Sequence, residues 1–214
     1  MVFRGLTGMR DYSSDITAIL LAGGTSSRMG GQNKALLEID GKKIIQREVE
    51  ILEGLFKEIL VITNTFDQYV FLGKPMFADV RPGYGSLGGL YTGLVNCSNE
   101  YGFVLPCDMP FLNDRVINYV CQRSFGHDVT VPKIGVHYEP LHAVYSRRCV
   151  PHMEALMSRG KLRIFDFFND VDVLEIQEEE LRIIDPNLNF TLNVNSPTDF
   201  TSAINIAKTV FSMP

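Results

Sequence analysis

The chain has no excess of positive charge. Its 20 lysines and arginines stand against 25 aspartates and glutamates, a net charge of −5, which leaves no basic footprint for nucleic acid or an anionic membrane. Long apolar runs are also missing: the longest, residues 18–22, is far short of the roughly 20 residues that a membrane-spanning helix needs. Residues 1–14 carry no signal-peptide core, so the expected location is the cytoplasm. Cys97, Cys107, Cys121 and Cys149 include no C-x-x-C pair, so they are read as buried thiols and neither a zinc site nor a redox pair is expected. No repeat, low-complexity tract or Pro/Gly/Ser-rich linker divides the chain, and its one charge run, residues 178–180, is short enough to be a solvated turn.

What is present is ordinary globular composition. The 214 residues are 45% hydrophobic and 21% charged, which suits one sizeable α/β domain. Residues 1–15 lack periodicity and are expected to form a flexible extension, with a single domain over 16–214. From Ile16 a short apolar run ends in glycines, a helical period follows, and a second apolar run comes after it, the alternation of a βαβ sheet. Ile45, Val49, Leu52 and Phe56 form one helical stripe, with Lys42, Lys43, Arg47 and Glu50 available for its wet face. Further strands are expected at 59–63, 76–78, 102–105, 129–131, 141–145 and 171–176, with helices between most of them. Ser196, Pro197 and Asp199 mark the start of a closing helix that carries Phe200, Ala203, Ile204, Ala207 and Phe211. The expected fold is a three-layer, Rossmann-like α/β domain with a mainly parallel central sheet.

The richest stretch is residues 20–34, LLAGGTSSRMGGQNK, a strand running into a glycine-punctuated, hydroxyl-rich loop. Glycines let backbone N–H groups approach a polyphosphate closely, and Arg28 and Lys34 supply charge that can follow the phosphates. It is not a P-loop, because Lys34 is followed by alanine. Residues 83–88, GYGSLG, match a dinucleotide fingerprint with Asp108 twenty residues further on. That fingerprint normally follows the first strand, whose place here is taken by the loop at 23–34, so the nicotinamide reading is set aside. In Leu105-Pro106-Cys107-Asp108-Met109-Pro110 an apolar strand delivers a carboxylate between two prolines. Open α/β sheets bind ligands at that edge, and one fixed carboxylate there suits Mg²⁺, which completes its octahedron with substrate phosphates and water. Asp79, ending the preceding strand, is a second candidate. The histidines show no ligand spacing and receive no catalytic role.

Taken in order, the L-A-G-G-x-S-x-R-M-G loop ending in Lys34, Asp79, the glycine turn 85–89, the Pro-Cys-Asp-Met-Pro segment, Pro140-Leu141-His142-Ala143-Val144-Tyr145 and Asn193-Val194-Asn195-Ser196-Pro197 resemble the molybdenum cofactor guanylyltransferases, within the wider nucleotidyltransferase superfamily. The match runs from about Ile16 to Phe200. The resemblance implies that Leu21, Ala22, Gly23, Gly24 and Gly88 line the nucleotide pocket, that Arg28 and Lys34 meet the triphosphate, and that Asp79 and Asp108 contact nucleotide and Mg²⁺. It implies that Asn193, Asn195 and Arg163 lie toward the acceptor. Two positions depart from the family pattern: Ser86 replaces a proline of the glycine turn, and Asn33 stands where relatives often have aspartate.

The implied activity is transfer of GMP from GTP to Mo-molybdopterin with release of pyrophosphate, dependent on Mg²⁺, with other proteins of cofactor biosynthesis as partners. A related transferase that takes CTP or another small phosphate acceptor, and a nucleotide-binding module without turnover, are the alternatives.

Overall fold

Alternation along the first strand sets the layers. In β1 (Ile16–Leu21), Ile16, Ala18 and Leu20 point into one hydrophobic cluster and Ile19 and Leu21 into another, the two-residue period of a strand buried on both faces. The computed structural model describes residues 11–23 and 33–210. After β1 come a hairpin of β2 (Glu38–Ile39) and β3 (Lys42–Lys43), helix α1 (Ile44–Glu53), β4 (Ile59–Ile62), β5 (Met76–Phe77), α2 (Gly85–Asn96), β6 (Tyr101–Pro106) and α3 (Asp114–Arg123). The second half holds β7 (Val129–Ile134), β8 (His137–Tyr138), β9 (Ala143–Ser146), α4 (Val150–Ser158), β10 (Val173–Gln177), α5 (Glu178–Ile184) and α6 (Pro197–Val210).

The main sheet runs β10-β7-β9-β6-β1-β4-β5, with β8 paired to β7. Pairs β1–β4, β1–β6, β4–β5 and β7–β10 are parallel, whereas β9 is antiparallel to both β6 and β7. The sheet is therefore mainly parallel, as expected. Apolar residues of α1, α3 and α5 join the cluster on one face, and those of α2 and α4 the cluster on the other. The chain steps outward from β1 to β4 and β5, then returns through α2 to β6 on the opposite side of β1. Strand order reverses between β1 and β6, and the carboxyl ends at such a reversal are where open α/β sheets form their ligand crevice. The G-x-G-x-x-G segment begins after the edge strand β5, not after β1.

Expected strands begin within two residues of those observed, although β7 runs three residues past its expected end, and Ser196 Oγ accepts from Asp199 N–H at 3.2 Å where the closing helix begins; Phe211 lies outside the described residues. Two expectations need correction. Lys42 and Lys43 do not lie on the wet face of α1 but form β3, because Asp40 (φ 53°) and Gly41 (φ 70°) make a two-residue turn that pairs Ile39 with Lys42. Of the expected extension, residues 1–10 lie outside the described residues, and the chain has already joined the core at Tyr12, which is 4% exposed and packs 5.7 Å from Phe56.

Helix α2 approaches the sheet closely: a Cβ on Gly93 would stand 2.3 Å from Ile19 Cγ2, and one on Gly89 3.2 Å from Leu21 Cδ2. Three of the four thiols are buried and Cys107 is half-buried, in keeping with a structural role. His142 belongs to the core. It lies edge-on to Phe103 at 5.1 Å and 4.9 Å from Phe190, and neither ring nitrogen has a hydrogen-bond partner among the described residues. Burial lowers its pKa to about 3.

The sign of the resulting pH dependence follows from linkage. The unfolded chain takes up a proton near pH 6.5 that the folded chain refuses until about 3, so the unfolded state binds more protons between those values. This part of stability is intact above pH 6.5 and is lost as pH falls toward 3, to the extent of a few kcal/mol, on the order of the shift times 1.4 kcal/mol. The urea midpoint of wild type should therefore fall relative to that of His142→Leu as pH drops from 7 to 4, with the difference between them constant above about pH 7. Parallel midpoints would place the histidine in contact with water.

Candidate functional site

The floor of the crevice is the end of β1. Leu21 is 8% and Ala22 3% exposed. Leu21 C=O accepts from Cys107 N–H at 3.2 Å, and Ala22 N–H donates to Ile62 C=O at 2.8 Å, so the strand end is pinned from both neighbours. Gly23 follows with no described atom within 4 Å of an added Cβ. Gly24 and Arg28 lie outside the described residues.

The loop's far end is fixed by Asn33. Its Oδ1 accepts from Ala35 N–H at 3.1 Å, capping the 3-10 turn Lys34–Leu36. Its Nδ2 donates to Tyr69 Oη at 2.7 Å and also to Gln68. An ionised aspartate could cap the turn and accept from Tyr69 Oη but could not donate to Gln68 Oε1, so asparagine adds that bond to the same segment. The turn carries Lys34, whose Nζ donates to Asn195 Oδ1 at 2.8 Å.

Opposite stands Asp108, half-buried at the end of β6. Burial pushes its carboxyl up, while the nearby Lys34 ammonium opposes the shift. Asp108 C=O accepts from Val194 N–H at 2.9 Å, which brings Asn193 and Asn195 to the same edge. Asn195 N–H is held in turn by Asp199 Oδ2 at 3.0 Å. The side-chain oxygen of Asn193 is buried without a hydrogen-bond partner among the described residues. Lys34, Asp108, Asn193 and Asn195, drawn from three separate stretches of chain, thus meet in one place.

Asp79 and Arg163 are not part of that group. Asp79 lies beyond β5, three strands from β6 or roughly 14 Å across the sheet, where Asn64 Oδ1 accepts from its N–H and Asn64 Nδ2 donates to its carboxylate, both at 2.9 Å. Arg163 is exposed, just ahead of the 3-10 turn Ile164–Asp170, and among the described residues no hydrogen bond or ion pair joins it to Lys34 or Asp108. Gly88 is buried in α2; its N–H donates to Tyr84 C=O at 3.2 Å, and an added Cβ would stand 2.9 Å from Arg81 C=O. Its visible role is to let residues 81–84 lie against the helix.

Sequence reasoning passed over Asn64, Tyr69 and Glu48. Glu48 is 1% exposed and accepts from Met109 N–H at 2.9 Å. Burial pushes its carboxyl well up, against the lowering effect of the Met109 bond and with a further push from the charge of Asp108. A signal existed: Glu48 falls three residues after Ile45 and four before Leu52, on the apolar stripe of α1. Asn64 and Tyr69 carry no comparable mark, because only folding brings their partners near.

Residues 18–172 match the family described as the MobA-like NTP transferase domain. The chain is 35% identical over 189 residues to a molybdenum cofactor guanylyltransferase of Desulfosudis oleivorans, covering 88% of this chain and 94% of that protein. It is 37% identical over 192 residues to a probable molybdenum cofactor guanylyltransferase of Carboxydothermus hydrogenoformans, covering 90% and 96%. The crystal structure of molybdopterin-guanine dinucleotide biosynthesis protein A from Archaeoglobus fulgidus superposes with a TM-score of 0.78 at 25% identity, over 91% of this chain and 100% of that one. A CMP:2-keto-3-deoxy-manno-octonic acid synthetase shares the fold, with a TM-score of 0.69 at 13% identity over 92% and 99%.

Gly23 and Gly88 should separate in urea denaturation of the ligand-free protein. Gly88→Ala, which must move a backbone carbonyl, should lose about 1–3 kcal/mol, whereas Gly23→Ala should stay within about 0.5 kcal/mol of wild type. Equal losses would mean that the space around Gly23 is closed.

Proposed function

Because the chain belongs to the MobA-like NTP transferase family of nucleotidyltransferases, we propose that it transfers GMP from GTP to Mo-molybdopterin, forming the guanine dinucleotide and pyrophosphate. The observation that carries the proposal is the meeting of Lys34, Asp108, Asn193 and Asn195 at the carboxyl ends of β1 and β6; the nucleotide and acceptor are those that the relatives' names imply.

A divalent cation fits the residues present. Asp108 offers a desolvated carboxylate and Asn193 a buried oxygen without a partner, both hard donors of the kind Mg²⁺ takes. Among the described residues no group of three or more His, Cys, Asp or Glu side chains could hold a metal, so the remaining ligands would come from phosphate and water. Asp108 would hold the ion, with Asn193 beside it. When bound, Mg²⁺ supplies charge neutralisation on the triphosphate and on the pyrophosphate as it leaves.

The chain's own groups do the rest by position. Leu21, Ala22 and Gly23 present a largely buried floor, and Gly24 and Arg28 follow them in sequence. Lys34 exchanges its neutral partner Asn195 for the triphosphate, a point charge on a flexible stem. Asn64 holds Asp79 toward the outer strands, where it would contact the nucleoside end. Asn195, released by Lys34, and Arg163, exposed beyond α4, would receive the acceptor. An acceptor phosphate oxygen attacks the α-phosphorus in line, a new P–O bond forms, and the bond to the β-phosphate oxygen breaks with its electron pair leaving on pyrophosphate. The attacking phosphate is already ionised at neutral pH, so no strong base is required. The cytoplasm is the location proposed for the reaction. Among the described residues no helix is long and apolar enough to cross a membrane.

Incubation with each of the four nucleoside triphosphates, Mg²⁺ and molybdopterin, with the product identified by mass, should yield the guanine dinucleotide and pyrophosphate. A cytosine dinucleotide would overturn the guanylyl assignment, and nucleotide binding without pyrophosphate would overturn transfer. Within that assay Lys34→Ala should mainly raise the GTP KM, with a smaller fall in kcat. Asp108→Asn should lower kcat by roughly two to four orders of magnitude while GTP binding in EDTA stays level or tightens, since a carboxylate that repels phosphate has been removed. Wild-type metal dependence in Asp108→Asn would move the ion site to Asp79.

A further inference from the structure

The segment carrying Asp108 is short of backbone donors. Pro106 and Pro110 have no N–H, so between them only Cys107, Asp108 and Met109 offer one. Cys107 N–H is taken by Leu21 C=O and Met109 N–H by Glu48 Oε1, while Asp108 C=O is held by Val194 N–H. Bonds on either side of Asp108 thus fix the peptide planes that aim its carboxylate. Of these three clamps, only Glu48 is a side chain. It reaches across 61 residues of sequence from α1.

Packing does not explain an acid at this position. Ile44, Ile45, Val49 and Leu52 surround it on the same buried face of α1, and an apolar residue would complete the stripe without desolvating a carboxyl. Among the described residues the carboxyl is also only half satisfied, for Oε2 is buried without a partner there. A group that is costly to bury and engaged at one oxygen has its structural meaning in that one bond.

We infer that Glu48 is a positioning residue for the nucleotidyl-transfer site, its Oε1 locking the Met109 peptide so that Asp108 is held in one orientation toward the cation and the triphosphate. This inference rests on the functional reading above for what Asp108 does, but the lock itself belongs to the ligand-free chain. It acts through an accepting oxygen and not through charge, so glutamine can replace glutamate and an apolar residue of similar length cannot.

The test compares Glu48→Gln with Glu48→Met in three measurements on the full chain. Hydrogen exchange of the Met109 amide without ligand should speed up about ten-fold or more in Glu48→Met, with β1 and β6 amides unchanged, and stay within about two-fold of wild type in Glu48→Gln. The Mg²⁺ concentration for half-maximal tightening of GTP binding should rise about ten-fold in Glu48→Met alone, with GTP affinity in EDTA unchanged, and kcat should fall with it. Wild-type Mg²⁺ response in Glu48→Met would overturn the inference, as would a Glu48→Gln variant that fails like Glu48→Met. Should Glu48→Met not fold, Glu48→Gln decides alone, since loss of its Mg²⁺ response is fatal to the proposal. If wild type itself shows no Mg²⁺-dependent GTP binding, the functional reading fails, and the exchange rates still judge whether Glu48 holds the turn.

Discussion

The parallel pairing of β1 with β6 is the constraint on which the site depends. Its register runs from Ile16 opposite Tyr101 to Leu21 opposite Pro106 and extends one bond further, from Cys107 N–H to Leu21 C=O. Side chains alternate with a period of two, so a slip by one residue would turn Leu20 and Leu105 out of one core layer and into the other. The register that fills both layers also makes the two strands end together. The loop after Ala22 and the turn at Asp108 therefore leave the sheet side by side. Because β4 and β5 continue from β1 in one direction and β6 lies in the other, nothing in the sheet covers the gap between those two exits.

Around that gap the fold accepts polar groups that work against its stability. The Asp108 carboxyl is desolvated, with Lys34 relieving only part of the penalty. Glu48 leaves one oxygen unbonded in the core beneath it, and Asn193 leaves one beside it. In an ordinary core such groups would be replaced by carbon at a gain of roughly 1–3 kcal/mol each. Here they are held ready by rigid elements: Glu48 by a helix, Asp108 by a strand end, and Asn193 and Asn195 by the backbone just ahead of α6. A site that meets its ligand with oriented oxygens and a single ammonium need not reorganise when charge moves.

The glycines divide between two physical tasks. Gly89 and Gly93 of α2 bring the helix onto the sheet, where Leu21 and Ile19 occupy the space that a Cβ would need. At Gly23 no described atom lies within 4 Å of an added Cβ, and its lack of a side chain matters toward whatever enters the site. The same residue type thus makes a close contact within the protein in one place and leaves room outside it in the other.

The sequence by itself determined the layered fold and the strand ends that matter. Apolar runs closed by glycine or proline at Leu21 and Leu105, and the stripe through Ile45, Val49 and Leu52, are local patterns fixed by the periods of strand and helix. Motif order likewise marked Lys34, Asp108, Asn193 and Asn195. The Asp40-Gly41 hairpin was legible in principle, since two adjacent positive φ values favour those residues, but the following helical stripe masked it. What only the tertiary structure decided is which of the marked residues act together. Lys34 and Asn195 are 161 residues apart in sequence, and Glu48 reads as part of a helix face until Met109 is placed above it. Asp79 belongs with its partner Asn64 three strands away. Periodicity reports which face a side chain takes, whereas a hydrogen bond between distant segments depends on sheet order and register, and those arise only when every strand has found its neighbour.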